Sequence, residues 1–397
     1  MKFKAYFTPS FLHTMFYGVF LFYFVWASFY PANYNALFIY IMGVIGAILF
    51  LSDFYNSYAY RKINIEILEK EVRKYKGETG DLTFKITQNG WLPIIGAVME
   101  VNAGDYILFD GDKKTRAQTR TKTKLRFSVM PKNTVIVLAK YQAIERGVAR
   151  IFGSRITYPN LLGFNDITLE QMSVSDTEVI VYPEVRLSKF KEFKLRNITG
   201  KYRKQNALYH DKMLKVGSRD YEAGDHLRDI HWKQTARSNS LRTNVYEQVT
   251  ELEVLILVNL RSDKSYISVE YIEEIYEKVA YIAFQLTRDN IPYQLLSNVR
   301  HIHLRNFANV PLGSGRNHYK HTLEFLSRLK SIDFTVPFEQ LVYKVPSLNN
   351  VPSHVIFTGP TDKEIDQALA SLKKQHIVVY QLDKFNIEEY EMRGGAK

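Results

Sequence analysis

The chain has no cysteine among its 397 residues, so a disulfide framework and any cysteine-ligated zinc site are excluded. That absence agrees with an intracellular location, although exported proteins also do without disulfides. Internal repeats, low-complexity tracts and sustained heptads are missing as well. Charge is absent from one long stretch. From Phe11 to Tyr30 there is no Asp, Glu, Lys or Arg, and about 20 apolar residues at 1.5 Å rise match a hydrocarbon core of about 30 Å. A shorter run follows from Ala36 to Leu51. No Ala-x-Ala-like cleavage site follows the first run, which argues against a signal peptide. The expectation is a transmembrane helical hairpin over residues 1–58. Lys2 and Lys4 before it and Arg61 and Lys62 after it flank an uncharged connection from Pro31 to Asn35. Basic flanks predict that both termini, and the domains that follow, are cytoplasmic in a multi-pass protein of the cytoplasmic membrane.

What is present is an excess of positive charge, +12 overall, concentrated in one place. Between Arg186 and Arg242 there are 15 Lys or Arg and 6 Asp or Glu, so nine of the twelve excess charges lie there. Attraction to anionic lipid, to a nucleic acid backbone or to an acidic protein all fit this stretch, as does a merely solvated face.

Residues 59–188 read as a β-sandwich of Ig-like type. Ile63, Ile65 and Ile67 alternate with polar partners, as do Leu82, Phe84 and Ile86, and Asn89-Gly90 is a tight-hairpin signal. Short apolar runs at Tyr106–Phe109, Leu125–Val129, Val135–Leu138 and Glu178–Tyr182 continue the pattern. Residues 251–390 alternate instead between strand and helix. Val254–Val258, Tyr293–Leu296, Val355–Thr358 and Ile377–Leu382 are strand-like, while Val269–Leu286, Thr322–Leu329 and Thr361–Lys374 have helical periodicity. Such alternation predicts a mostly parallel sheet with helices on both faces.

Between these regions, residues 189–250 form a charged segment whose pattern is the most specific in the chain. Gly217, Arg219, Tyr221, Gly224, Asp225, Arg228, Ile230, Trp232, Thr235, Ala236 and Arg237 fall in step with the signature of a family of membrane proteins. The segment resembles the family called domain of unknown function 58. Arg146-Gly147, Leu162-Gly163 and Val181-Tyr182-Pro183 match its turns in the same order. The resemblance implies a von Willebrand factor A-like α/β domain after the signature. It also implies association with a MoxR-type AAA+ ATPase and with a transglutaminase-like membrane protein. Membrane lipid is a further expected contact; nucleic acid is not expected as a partner.

Metal-binding von Willebrand A domains carry Asp-x-Ser-x-Ser after their first strand. The corresponding residues here are Asn259, Arg261 and Asp263, which gives a degenerate site, no expected metal and no expected cofactor. Ser262, Asp263 and Ser265 allow only a shifted version. His301-x-His303 is a weak zinc signal without a completing ligand, and Gly313-Ser314-Gly315-Arg316 lacks phosphate-loop spacing.

Within the signature, Gly224 suits a turn of positive φ, and Asp225 is expected to cap a helix from His226 whose buried face is Leu227 and Ile230. Trp232 offers packing surface, and Arg219, Arg228 and Arg237, with Lys233 and His231 beside them, offer charge. The expected role is a non-enzymatic adaptor in an assembly system, the signature being either a structural clasp or a docking surface. The alternatives are a hydrolase using Asp225 and His231 for acid-base work, or a membrane-associated protein that binds nucleic acid or anionic lipid.

Overall fold

The computed structural model describes residues 3–7, 11–29, 35–111, 120–160, 165–171, 176–185, 210–248, 253–261, 267–300, 307–330, 334–348, 351–375, 377–383 and 386–390. The chain divides into two compact units, Met1–Glu184 with Leu326–Lys330, and Val185–Phe325 with Ser331–Lys397.

In the first unit, strand β1 (Phe3–Phe7) leads to helices α1 (Phe11–Phe29) and α2 (Asn35–Tyr58). A 3-10 turn, Ala59–Lys62, connects these to β2 (Ile63–Ile67), β3 (Glu71–Tyr75), β4 (Thr79–Gln88), β5 (Ile94–Gly104), β6 (Ile107–Phe109), β7 (Arg120–Val129) and β8 (Asn133–Ala143). Then come β9 (Gly147–Pro159), β10 (Asp166–Gln171) and β11 (Glu178–Tyr182). Two sheets result. One has order β2-β4-β8-β6; the other has order β1-β10-β9-β11-β3, with β5 pairing β7 and β9. Alternate residues point inward, as period-2 patterning requires. Ile65, Phe84 and Tyr141 of the first sheet meet Met99, Ile151 and Val181 of the second in one core. Buried Arg146 donates to the carbonyls of Leu326 and, at 2.7 Å, Leu329.

Among the described residues, no helix is long and apolar enough to cross a membrane, and the fold is mostly β-sheet. The expected pair of transmembrane helices is therefore corrected. Two observations give the physical reason. β1 is not a flank outside the fold but a strand paired to β10, from Phe3↔Gln171 to Phe7↔Ile167. The end of α2 is sandwich core, with Leu49, Ser52, Tyr55 and Asn56 buried. Asn160 Nδ2 donates to Ser52 Oγ at 2.9 Å and to Asn56 Oδ1 at 2.6 Å. Only about 20 Å of α2 precedes Leu49 at 1.5 Å per residue, against about 30 Å of hydrocarbon. α1 spends part of its length on His13, Thr14 and Ser28.

Asn89-Gly90 is also corrected, because β4 pairs β2 and β8 while β5 pairs β7 and β9. Those residues carry the chain from one sheet to the other instead of turning a hairpin.

The second unit begins with a two-stranded ribbon, β12 (His210–Asp220) and β13 (Arg242–Gln248), with helix α3 (Trp232–Ser238) in its connection. Then follow β14 (Val254–Val258), α4 (Val269–Arg288), β15 (Tyr293–Arg300), β16 (Phe307–Gly313), α5 (Gly315–Arg328) and α6 (Phe338–Lys344). The last elements are β17 (His354–Thr358), α7 (Lys363–Lys374), β18 (Val378–Asp383) and β19 (Asn386–Glu389). Sheet order is β16-β15-β14-β17-β18-β19. Its four inner strands are parallel and its edge strands antiparallel. Leu255, Leu257, Val355 and Phe357 face α6 and α7. Tyr293 faces α5, where its hydroxyl and that of Thr322 lie 3.0 Å apart, and Phe284 of α4 packs edge-on to Tyr319 of α5. Helices thus cover both faces.

Candidate functional site

The signature folds as a closed ribbon with a decorated tip. Strand register sets Gly217 opposite Val245, Arg219 opposite Thr243 and Asp220 opposite Arg242. Between the strands the chain makes a turn from Glu222 to Asp225, in which Gly224 has φ 120°, a backbone that a side chain would strain. Asp225 closes this turn. Its Oδ2 accepts from Glu222 N at 3.1 Å, and its Oδ1 accepts from Arg219 Nη2 at 2.6 Å. The amide of Glu222 and the Arg219 guanidinium hold the Asp225 carboxyl below the usual carboxylate range, and Asp225 in turn raises Arg219. Asp225 is therefore no helix cap, contrary to expectation: the 3-10 turn Leu227–Asp229 has no side-chain cap.

His231 takes the capping role for α3. Its Nδ1 accepts from Gln234 N at 3.3 Å, while its own N donates to Arg242 O at 2.7 Å. Thr235 Oγ1 accepts from Arg242 N at 3.0 Å, and Asn244 Nδ2 donates to Asp229 O at 2.9 Å. Tyr221, half-buried, donates its N to Leu241 O at 2.9 Å. Ile230, buried, bridges to Thr243. Arg219, Tyr221, Asp225, His231 and Thr235 are thus spent on holding the ribbon and its turn.

Trp232, and Leu227 between the signature residues, are not. Trp232 is 68% exposed and Leu227 71% exposed, so the expected burial of Leu227 is corrected: neither the 3-10 turn Leu227–Asp229 nor α3 buries a side chain. Arg228, Lys233, Ala236 and Arg237 are exposed alongside them. Asn244 and Arg242, which complete the clasp, lie just past the signature and carry no motif of their own; only their position in the return strand would have marked them.

Asp225 and His231 are each committed to separate partners. Neither lines the cavity of about 690 Å³ formed over β15 and β16 by Leu296, Phe307, Leu341, Lys344 and neighbours.

At the carboxyl edge of the six-stranded sheet, Asn259 and Asn298 are fully buried and interlocked. Asn298 Nδ2 donates to Asn259 Oδ1 at 2.9 Å and to Val336 O at 3.0 Å, and Asn298 Oδ1 accepts from Leu260 N at 3.0 Å. Asn259 Nδ2 donates to Pro360 O at 2.7 Å, and its Oδ1 also accepts from Arg261 N at 3.0 Å. Where a cation site would need converging charged oxygens, two neutral amides are occupied by main chain. Asn298 went unnoticed in the sequence because nothing marks a lone Asn at a strand end. Ser262, Asp263, Ser265, His301, His303, Leu162, Gly163 and the basic stretch over 186–209 lie outside the described residues, which contain no cluster of three or more His, Asp or Glu fit for a metal.

The geometry defines a two-unit protein: a β-sandwich, and an α/β sheet preceded by a clasped ribbon. Residues 217–384 match the family described as "Protein of unknown function DUF58", a span that takes in the ribbon from Gly217 onward and most of the α/β sheet. No curated protein matches. Among the solved structures that match, two each cover about a third of the chain. The CARDB domain of a Pyrococcus furiosus protein, in complex with di-metal ions, is 16% identical over 30% of this chain and 85% of its own, with a TM-score of 0.18. Spo0M, a sporulation control protein from Bacillus subtilis, is 10% identical over 32% of this chain and about half (51%) of its own, also with a TM-score of 0.18. At that level of superposition neither bears on fold or function.

Proposed function

We propose that the chain is a non-enzymatic adaptor whose signature ribbon seats a protein partner, the partner class implied by the resemblance being a MoxR-type AAA+ ATPase. The observation that supports this is the exposure of Trp232 and Leu227, together with that of Arg228, Lys233 and Arg237, on a ribbon whose turn and helix start are held by Arg219, Asp225, His231 and Thr235. Trp and Arg are among the residue types that dominate binding energy at protein interfaces. The clasp lowers the cost of presenting them, since little ordering remains to be done on binding. The helix-covered parallel core of the second unit supports the von Willebrand A-like reading of residues 251–390. A transglutaminase-like membrane protein is the second partner that the resemblance implies.

The test compares Trp232→Ala and the pair Arg228→Ala, Arg237→Ala in the full chain. Exposed substitutions away from packing change stability by less than about 0.5 kcal/mol, so melting should be unaltered. Affinity for the ATPase, measured by interferometry at two salt concentrations, should fall by about tenfold or more for Trp232→Ala, as expected of an interface anchor. The arginine pair should lose most at low salt. Full binding by all of these variants would end the proposal.

A further inference from the structure

At one end of the first unit, three pieces of chain are pinned together. Buried Gln88 donates from Nε2 to Ala59 O at 2.8 Å and to Leu92 O at 2.9 Å, and its Oε1 accepts from Gly90 N at 3.3 Å. Asn89 N donates to Lys62 O at 3.1 Å, and Tyr55 Oη to Pro93 O at 2.8 Å. Strand register sets Gln88 opposite Asn133 and Ile94 opposite Val129, which brings the 130–133 turn to the same end. The last turns of α2, the 89–93 connection and the 130–133 turn therefore form one platform.

That platform displays aromatic rings to solvent with cations laid over them. Trp91 is 83% exposed, Met130 53%, Tyr58 48% and Phe54 44%. Phe54 and Tyr58 stack at 4.6 Å between centroids. The Arg61 guanidinium lies 4.5 Å from the Tyr58 ring centre, and the Lys132 ammonium lies 5.3 Å from that of Trp91. Lys62 is exposed next to Arg61, and Asp53 is the one acidic residue of α2. Farther along the helices Phe50, Leu51 and Tyr40 of α2 and Leu21 and Phe22 of α1 are also exposed.

We propose that this end of the sandwich is a contact surface for an anionic lipid headgroup layer, entered from one side. Tryptophan and tyrosine favour the boundary between headgroups and acyl chains because the ring is apolar and its polar atom stays wet. Lys and Arg held level with those rings meet phosphate at the same depth. Exposed aromatic rings gathered at one end of a fold and overlaid by cations mark an interaction site, and their chemistry complements a lipid surface: positive charge at headgroup level and uncharged side chains beyond. No crossing helix is required, since an apolar face can lie in the interface plane. This surface belongs to the first unit and is independent of the signature ribbon.

The experiment uses the full chain with vesicles of phosphatidylcholine, alone or mixed with phosphatidylglycerol. The protein has three tryptophans; in a Trp26→Phe, Trp232→Phe background the emission reports Trp91. Bromine-labelled acyl chains should quench that emission on vesicle binding. Arg61→Glu and Lys132→Glu should each lower partition onto anionic vesicles by about fivefold or more, because a basic residue near such a surface contributes about 1 kcal/mol, with little change on phosphatidylcholine alone. Trp91→Ala should weaken binding, Trp91→Phe should restore most of it, and Trp232→Ala should bind vesicles normally. Unquenched Trp91 in vesicle-bound protein, or charge reversals without effect, would overturn the proposal. Concentration-dependent self-association that Trp91→Ala abolishes, without lipid quenching, would also overturn it and assign the surface to a second copy of the chain.

Discussion

Replacing Asn298 by Ala tests whether the two interlocked amides hold the carboxyl edge of the α/β sheet. The side chain is fully buried and makes three hydrogen bonds, two of them to main chain: Leu260 N at 3.0 Å and Val336 O at 3.0 Å. Alanine leaves that donor and that acceptor without their partners. Asn259 Oδ1 keeps only the Arg261 amide of its two donors. Each orphaned buried group costs about 1 to 3 kcal/mol, so the total is about 2 to 5 kcal/mol. Asn298→Asp separates hydrogen bonding from packing. The carboxylate still accepts from Leu260 N but faces two acceptors, Asn259 Oδ1 and Val336 O, so at neutral pH it should cost at least as much as alanine. Protonation supplies one donor, so acid should narrow the difference between the two variants. Scanning calorimetry of the full chain gives the readout. For a unit of this size about 1 kcal/mol corresponds to roughly 2 to 4 °C, so the transition of the α/β unit should fall by about 5 to 15 °C. A fall of less than about 2 °C, or an aspartate variant as stable as wild type at neutral pH, would show that the network does not hold the edge.

Two glycines with nearly equal φ should respond differently to alanine. At Gly359, φ 121°, a Cβ would sit 2.1 Å from the main-chain oxygen of Asn259, whereas at Gly224, φ 120°, nothing lies within 4 Å. Gly224→Ala should cost only the backbone strain, about 1 to 2 kcal/mol, and Gly359→Ala at least about 2 kcal/mol more, measured as separate shifts in urea midpoint. His354 supplies a pH dependence: it is fully buried, and desolvation lowers its pKa to about 4. A histidine lowered on folding binds protons first in the unfolded state, so stability is fully present above about pH 6.5 and is lost as pH falls toward 4. The loss should be about 3 kcal/mol, read as a fall in urea midpoint over that range, and a flat profile would contradict it.

The parts of the fold carried by periodicity were readable from sequence. Val269 begins α4 as expected, and Asp362 caps α7, its Oδ1 accepting from the amides of Glu364 and Ile365. Other elements were hidden for identifiable reasons. β1 reads as a charged flank because Lys2 and Lys4 dominate so short a segment. α5 starts at Gly315 rather than Thr322, since its polar first turns, Gly-Arg-Asn-His, lack an apolar stripe. The apolar run Ala36–Leu51 reads as a membrane span because composition alone does not show that the helix carrying it runs into the core of the sandwich at Tyr55. Ser52 and Asn56, which dock on Asn160, lie just past that run and are the polar residues of α2 that point to a protein neighbour.

The signature shows the limit of pattern reading more sharply, because its residues divide by use rather than by type. Arg219 and Arg237 look alike in the string, but Arg219 is bound to Asp225 across a turn while Arg237 is exposed. Ile230 is buried and Leu227, three residues before it, is exposed, because the 3-10 turn and the cap at His231 break the periodicity that would have placed them on one face. The same separation holds at the sheet edge, where Asn259 and Asn298 spend their amides on each other and on main chain. In both places the side chains that look most chemical hold backbone. What remains exposed is Trp232, Leu227, Arg228, Lys233 and Arg237, the surface on which the proposed docking rests. A change in Asp225 should therefore act on that surface only by loosening the turn beneath it, and a change in Trp232 should act on it directly.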